Sequence, residues 1–244
     1  MTAPAAPGRI MSMIRHAGYP VCLVLPGAGG GLQPYARLAH LLGEAYEVVA
    51  ARAVGLMPGE EPEDDVTVTA DRVVADLLAR CRTPQLVVGW SMGGVIGWEV
   101  AVRLADLGHQ PDLIMIDSSP ERRPLDPAVD AGILARLTAM LGPRPGPDSQ
   151  RQLQRAFAAQ MRALATHRVR TRYPGRVLLL QCAGDEDARL SVLTAWQDLA
   201  PALSTGRLDA GHFDVFEPEH FAALAGHLRA FVPALSTAEV ARDR

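Results

Sequence analysis

The segment QLVVGWSMGG, residues 85–94, decides how the rest of the chain is interpreted. It joins a short apolar run, typical of a buried parallel strand, to a helical pattern through the sequence Gly-x-Ser-x-Gly. Such a sharp bend holds the hydroxyl of Ser91 clear of the sheet edge, and Gly89 and Gly93 remove side chains that would obstruct it. The segment therefore predicts a serine nucleophile at a helix N-terminus, where free amides stabilise negative charge.

Short apolar runs alternate with longer helical patterns on both sides of this segment, which is typical of a mostly parallel sheet flanked by helices. Two helical stretches, 127–141 and 149–166, have no strand between them and are joined by a Gly- and Pro-rich segment. We therefore predict an α/β-hydrolase fold with a helical lid inserted at about 121–168. The predicted strands are 21–25, 47–51, 85–89, 112–116, 177–182 and 204–208, and the other predicted helices are 35–42, 69–80, 93–107 and 218–231.

The length of 244 residues suits one α/β domain with a full-sized core. We predict this domain over 21–232, with an N-terminal tail at 1–20 and a C-terminal tail at 233–244. The N-terminal tail lacks an uninterrupted apolar signal core, and no apolar run approaches the length of a membrane span. The three cysteines are widely separated, with no Cys-x-x-Cys pair, and suit a reducing compartment. These features favour a cytoplasmic protein.

The composition excludes several kinds of chemistry. All 24 basic residues are Arg, so the chain contains no lysine for a Schiff base, a Ser–Lys dyad or a phosphate-binding loop. The formal net charge of −3 provides no basic field for nucleic acid or an anionic membrane. No motif calls for a metal or an organic cofactor, and we expect none.

His212 is the predicted base for Ser91. It lies in a loop between the last predicted strand and the last helix, which brings it to the same carboxyl edge of the sheet as the bend. It also completes the order Ser, acid, His that hydrolases of this fold share. The other histidines lie in the N-terminal tail, in or beside helices, or at the end of the lid: His16, His40, His109, His167, His220 and His227.

Two aspartates compete to orient the imidazole. Asp117 ends the strand next to the bend, and Asp187 follows the next strand, which is the more usual position of the acid in this fold. Asp209 and Asp214 are close to His212 in sequence, but adjacent loop positions rarely point at the ring. The acid must accept a hydrogen bond from the imidazole and stabilise its cation. We favour Asp117 and keep Asp187 as the alternative.

The oxyanion hole requires two backbone N–H groups that point at the developing alkoxide. Met92, the residue after the serine, is one predicted donor. The glycine-rich loop 26–31 follows the first predicted strand and lets the backbone approach the substrate, and Ala28 is the second predicted donor. A dinucleotide-binding loop is the weaker alternative, because the glycine spacing departs from G-x-G-x-x-G.

Four segments together resemble the thioesterase domains of nonribosomal peptide and polyketide synthases: LPGAGG at 25–30, GWSMGG at 89–94, MIDSSP at 115–120 and GHF at 211–213. The resemblance extends over about 21–232. It implies that Ser91 accepts an acyl or peptidyl chain from the phosphopantetheine arm of a carrier protein. Water or a nucleophile within the bound chain would then release the product, by hydrolysis or cyclisation.

Details of the chain point to different members of this group. The position of Asp117 resembles the chain-terminating domains, whereas the length resembles stand-alone editing thioesterases, whose acid generally lies where Asp187 does. The sequence also permits a general carboxylesterase, or a binding module without turnover. Apolar residues of the lid are candidates to line an acyl pocket: Leu134, Leu137, Met140, Leu141, Phe157, Met161 and Leu164. Arginines at the two ends of the lid are candidates to meet an acidic carrier protein or the phosphate of the arm: Arg122, Arg123, Arg168, Arg170, Arg172 and Arg176.

Overall fold

The computed structural model describes residues 8–140 and 146–235. Its strands are β1 Ile10–Ile14, β2 Val21–Leu25, β3 Glu47–Ala51, β4 Pro84–Trp90, β5 Asp112–Ile116, β6 Arg176–Gln181 and β7 Ala202–Arg207. Its α-helices are α1 Ala36–Leu42, α2 Val66–Ala79, α3 Met92–Asp106, α4 Pro127–Met140, α5 Pro147–Thr166, α6 Glu186–Gln197 and α7 Pro218–Phe231, and a short 3-10 helix, Gln33–Tyr35, precedes α1.

These strands form one sheet in the order β1-β3-β2-β4-β5-β6-β7. Only β1 pairs antiparallel with its neighbour, and every other pair is parallel. After β2 the chain moves outward to β3 and then returns to β4 on the other side. The connections leaving β2 and β4 therefore diverge, which opens a crevice at the carboxyl ends of these two strands.

The central strands are buried on both faces, as their continuous Val, Leu and Ile content predicts. Alternate side chains of β2 separate into the two halves of the core: Leu23 packs with α2 and α3, and Val24 packs with α1 and α7. The mostly parallel sheet with helices on both faces confirms the predicted fold class. Helix α3 begins two residues after β4 ends and packs against it, and this packing fixes the bend between them.

The prediction of a tail over 1–20 is wrong for Ile10–Ile14. This segment is β1, which pairs antiparallel with β3 along the edge of the sheet. Ile10 is buried, and Arg9 pairs with Glu63 at 2.5 Å. The tail was predicted because this segment lacks an apolar signal core, but that absence does not exclude a strand. The strand forms because the edge of β3 is open to pairing. At the other end, Leu235 is fully buried within the predicted C-terminal tail, and the tail from 236 onward lies outside the described residues.

Two helices differ from the predicted pattern. Helix α2 begins at Val66 rather than at residue 69, because the Asp65 carboxylate accepts the Val68 N–H at 3.0 Å and caps the N-terminus there. Helix α6 is absent from the predicted elements, and Asp185 caps it through the Ala188 N–H at 2.9 Å. Helix α6 places Asp187 in a first helical turn rather than in a loop.

The inserted helices α4 and α5 lie between β5 and β6, as predicted for the lid. Proline begins each of them, at Pro127 and Pro147, where the missing N–H costs no helical hydrogen bond. Residues 141–145 between the helices are outside the described part, and this includes the candidate Leu141. Within 8–140 and 146–235, no helix combines the length and apolarity needed to cross a bilayer.

Candidate active site

The bend after β4 depends on close backbone packing. A Cβ on Gly89 would lie 2.2 Å from the carbonyl oxygen of Gly93, and a Cβ on Gly93 would lie 2.1 Å from that of Leu25. Both distances are too short for any side chain. Ser91 takes a φ of 56° and a ψ of −123°, a backbone conformation that L-residues seldom adopt. The structure therefore explains both glycines and places the Ser91 side chain at the mouth of the crevice.

The structure brings Ser91, His212 and Asp117 into one chain of hydrogen bonds. The His212 Nε2 atom lies 3.1 Å from the Ser91 Oγ atom, and the His212 Nδ1 atom lies 2.6 Å from Asp117 Oδ2. These three residues arrive from the ends of β4 and β5 and from the loop before α7. The arrangement can move a proton from the serine hydroxyl to an imidazole that a carboxylate orients.

Asp117 is held from two sides. Its Oδ1 atom accepts the Cys182 N–H at 3.1 Å, while Oδ2 faces His212. Burial raises the pKa of Asp117, but the hydrogen bond with His212, its charge and the Cys182 amide outweigh burial, and the net pKa is lowered. Burial and the Asp117 charge raise the pKa of the Cys182 thiol to about 12. At neutral pH the site therefore holds an ionised carboxylate and a neutral thiol.

The alternative acid lies elsewhere. Asp187 is exposed in the first turn of α6, and within the described residues it forms no contact with His212. Asp214 faces Arg136 at 3.9 Å, and Asp209 also has no contact with the ring in the part of the chain that is described. The position of Asp117 distinguishes it from these residues, because it ends the strand adjacent to β4. Neighbouring strands bring their carboxyl ends together.

A cavity of about 550 Å³ separates Ser91 from the lid. Met161 and Leu164 of α5 line it, as two of the seven candidates were predicted to do. Helix α4 contributes Val129 and Ile133, which the sequence prediction missed even though their i, i+4 spacing puts them on one helix face. The other described candidates do not line this cavity: Leu137 and Met140 line a neighbouring cavity, Phe157 is buried in the core, and Leu134 packs against that core.

A family model for the thioesterase domain matches residues 21–232 of this chain. The chain belongs to the thioesterase domain family. It is accordingly a hydrolase that acts on thioesters. Comparison with curated protein sequences gave no match.

Several solved structures share the fold of this thioesterase. The Vlm2 thioesterase domain, solved with a bound dodecadepsipeptide, is 17% identical, with a TM-score of 0.74 over 91% of this chain and 97% of that one. The NocB thioesterase domain, solved as a covalent complex with a fluorophosphonate nocardicin G analog, is 25% identical, with a TM-score of 0.71 over 88% and 95%. The type II thioesterase BorB from the borrelidin biosynthetic cluster is 23% identical, with a TM-score of 0.73 over 93% and 97%.

The glycine-rich loop of the thioesterase, residues 26–31, reaches the Ser91 cavity through Ala28. The Gly27 N–H donates to the Tyr35 hydroxyl at 2.8 Å, and the Gly30 N–H donates to the Gly27 carbonyl at 3.0 Å. The Gly29 N–H donates to the side chain of Gln160 at 2.6 Å. Among the described contacts, the intervening Ala28 N–H has no acceptor, and Ala28 lines the cavity together with Met92. The two predicted oxyanion donors therefore border the space beside Ser91.

Trp90 is a site residue that the sequence prediction passed over. Its indole Nε1 donates to the carbonyl of His212 at 3.1 Å, and its ring lies 4.9 Å from the imidazole ring, centre to centre. Trp90 is also buried against Phe216 and Phe213. The residue next to the serine thus fixes the loop that delivers the imidazole. Its position inside the Gly-x-Ser-x-Gly motif is the feature of the sequence that could have identified Trp90 as a site residue.

We expect the Trp90→Phe variant to lower kcat about tenfold, below the roughly 100-fold loss that a 1 Å misplacement can cause. The reason is that the smaller ring cannot donate to the His212 carbonyl. Unfolding free energy should fall by about 1–3 kcal/mol. Steady-state kinetics and thermal unfolding measure both effects.

Trp98→Phe is the matched control for this prediction. Trp98 is fully buried in α3, and its Nε1 atom donates to the Thr171 carbonyl at 3.0 Å. This control should lose comparable stability but keep kcat within about twofold, because Trp98 does not contact His212. Equal losses of kcat in both variants would show that Trp90 acts only through general stability.

The arginines at the ends of the lid have different surroundings. Arg122 and Arg123 both line the Ser91 cavity; Arg123 pairs with Asp130 at 2.5 Å, while Arg122 is exposed without an ion pair among the described residues. At the other end, Arg168 pairs with Glu121, Arg176 pairs with Asp112, Arg172 donates to the Asp198 carbonyl, and Arg170 is exposed. Most of the predicted cluster is therefore engaged in intramolecular contacts.

Proposed function

We propose that this thioesterase releases an acyl or peptidyl chain from the phosphopantetheine arm of a carrier protein in polyketide or nonribosomal peptide biosynthesis. The observation that supports the proposal most is the chain of hydrogen bonds from Ser91 through His212 to Asp117 beneath a lid. We assign Ser91 as nucleophile, His212 as general base and Asp117 as the orienting acid. The proposal needs neither a metal nor an organic cofactor.

In the first step, the Ser91 Oγ atom attacks the carbonyl carbon of the thioester while His212 Nε2 takes its proton. The N–H groups of Met92 and Ala28 stabilise the negative charge on the former carbonyl oxygen. The tetrahedral species then collapses: the carbon–sulfur bond breaks, and the imidazolium returns the proton to the departing sulfur. The products are a free pantetheine thiol and an acyl ester on Ser91.

In the second step, His212 removes a proton from water or from a hydroxyl or amine within the bound chain. That nucleophile attacks the Ser91 ester, a second tetrahedral species forms in the same hole, and Ser91 leaves with the proton that His212 held. Water gives a free acid, and an internal nucleophile gives a ring. The ionised Asp117 favours the imidazolium in both steps, because its pKa is held low by its partners.

The cavity of about 550 Å³ is of the size that small-molecule sites usually have, with apolar side chains from both lid helices. Such a cavity suits an acyl chain attached to Ser91. The similar structures also support the pathway: Vlm2 holds a dodecadepsipeptide, and BorB is a type II thioesterase from a biosynthetic cluster. The likeness to BorB, a type II thioesterase, favours a stand-alone editing thioesterase as the second candidate.

Paired substrates test this proposal. We expect kcat/KM to be higher by about tenfold or more for an acyl N-acetylcysteamine thioester than for the p-nitrophenyl ester of the same acid, because a pantetheine-like leaving group suits this site. The same acyl group on a carrier protein should be turned over faster still. Strong preference for the oxygen ester would instead indicate a carboxylesterase. A preference for acetyl or propionyl groups over longer chains would favour the editing role.

A further inference from the structure

The glycine-rich loop of this thioesterase, residues 26–31, is hydrogen-bonded to lid helix α5 through one buried side chain. Gln160 lies on α5, only 9% exposed, and its Oε1 atom accepts the Gly29 N–H at 2.6 Å. The next residue, Met161, lines the Ser91 cavity. Helix α4 reaches the same loop, because a Cβ on Gly29 would lie 2.8 Å from Leu137 Cδ1. Both lid helices therefore contact the loop at a single glycine.

The geometry of the loop shows why that contact matters. Residues 27–30 form a four-residue turn, closed by the hydrogen bond from the Gly30 N–H to the Gly27 carbonyl at 3.0 Å. Gly29 stands at the third position with a φ of +89°, as a type II turn requires. A type II turn differs from a type I turn chiefly in the orientation of its central peptide. That peptide bears the Gly29 N–H, so Gln160 selects the turn type.

The hydrogen bond that closes the turn sets the direction of the Ala28 N–H. This N–H belongs to the same planar, trans peptide unit as the Gly27 carbonyl and points the opposite way. When Gly30 holds that carbonyl, the Ala28 N–H is directed away from the turn, toward the cavity that Ala28 lines beside Ser91. Loss of the Gln160 acceptor would leave the buried Gly29 N–H unpaired. A turn that opens to find a new acceptor for it would lose the closing bond that directs the Ala28 N–H.

We infer that Gln160 is a positioning residue that makes the oxyanion hole depend on the seating of lid helix α5. The inference rests on the proposed acyl transfer at Ser91. A lid displaced by a poorly fitting acyl chain would withdraw the acceptor and misalign the Ala28 N–H. Correct seating of the chain against Met161 and Leu164 would keep the hole in order. Acyl-chain recognition and rate would then be linked through one hydrogen bond.

The Gln160→Met variant tests the inference, because methionine keeps the length and removes the acceptor. We expect kcat for the thioester to fall about 10- to 100-fold, below the roughly 100- to 1,000-fold loss on removing an oxyanion donor outright. KM should stay within about twofold, since the interaction acts in the transition state. Gln160→Asn, which is one methylene too short to reach Gly29, should behave in the same way if the methionine variant does not fold.

Gln154→Met is the matched control, since Gln154 lies exposed on the same helix. It should keep wild-type kinetics. A kcat within about twofold of wild type in both Gln160 variants, or a raised KM at unchanged kcat, would overturn the inference, because either result means that Gln160 only shapes the pocket.

A fluorophosphonate gives a second readout that needs no thioester. Its phosphoryl oxygen occupies the oxyanion hole during attack by Ser91, so the maximal inactivation rate of Gln160→Met should fall about tenfold or more while the half-saturating concentration stays near wild type. An unchanged inactivation rate would contradict the inference. A wild-type protein that reacts with the probe but hydrolyses no thioester would refute the proposed function and still leave the role of Gln160 measured.

Discussion

Replacement of Ser91 by alanine should lower kcat for the acyl thioester by about 10⁵- to 10⁶-fold, the size of loss seen when a serine nucleophile is removed. The expected loss is this large because, in the chain of hydrogen bonds from Ser91 through His212 to Asp117, only Ser91 has a hydroxyl that can accept the acyl group. A stopped-flow assay on purified protein measures the fast turnover of the wild type, and a long incubation measures the slow turnover of the variant. Binding of the substrate should survive, so KM or a directly measured Kd should change little.

The same variant gives a direct check on covalent chemistry. A fluorophosphonate should label wild type at one site and leave Ser91→Ala unlabelled, and intact-protein mass spectrometry should detect an acyl adduct only on wild type. Alanine should fit at position 91 because it has the same Cβ as serine, while the close backbone contacts of the bend fall on Gly89 and Gly93. Labelling of the folded alanine variant at the wild-type rate would place the nucleophile elsewhere and refute the proposed mechanism.

Replacement of Asp117 by asparagine should lower kcat by about 10²- to 10⁴-fold. Both carboxylate oxygens of Asp117 accept hydrogen bonds, one from His212 and one from the Cys182 N–H. Asparagine has a single acceptor oxygen, so its NH₂ group must face one of these two donors. If it faces His212, the imidazole adopts the wrong tautomer; if it faces Cys182, a backbone N–H is left unpaired.

Asp187→Asn is the control for this substitution. The exposed Asp187 side chain in α6 should be replaceable with kcat within about twofold of wild type. The two variants should therefore separate clearly in steady-state kinetics with one thioester. If Asp187→Asn loses activity while Asp117→Asn keeps it, the acid belongs to α6, and the hydrogen bond at 2.6 Å has no catalytic role.

Periodicity and turn chemistry were enough to predict most of the fold. The strands β3 and β5 and the helix α7 have the predicted bounds, because each is an apolar run or an amphipathic stretch bounded by clear breaks. The candidate site was predictable because the bend has a strict requirement for glycine. His212 followed from its position before the last helix, and Asp117 from the strand next to that bend.

Other features depend on contacts that a single sequence does not display. Strand β1 is short and half-exposed, and it is recognisable only through its pairing with β3. Helix α6 begins within a cluster of carboxylates that is typical of a loop, and only the hydrogen bond from the Ala188 N–H to Asp185 shows that Asp185 is a helix cap. Gln160 contacts Gly29 across 131 positions of the chain, so no local pattern links the two. Long-range hydrogen bonds of this kind require coordinates.

The antiparallel strand β1 has a consequence for association between copies of the protein. It covers the backbone N–H and C=O groups of β3, which would otherwise be free to recruit a strand from a second molecule. Its own outer side is a poor template for such growth, since the strand has only five residues, its register shifts between Ser12 and Ile14, and Arg15 follows it. A shortened protein beginning at Val21 would thus expose a flat, apolar border and become prone to aggregation.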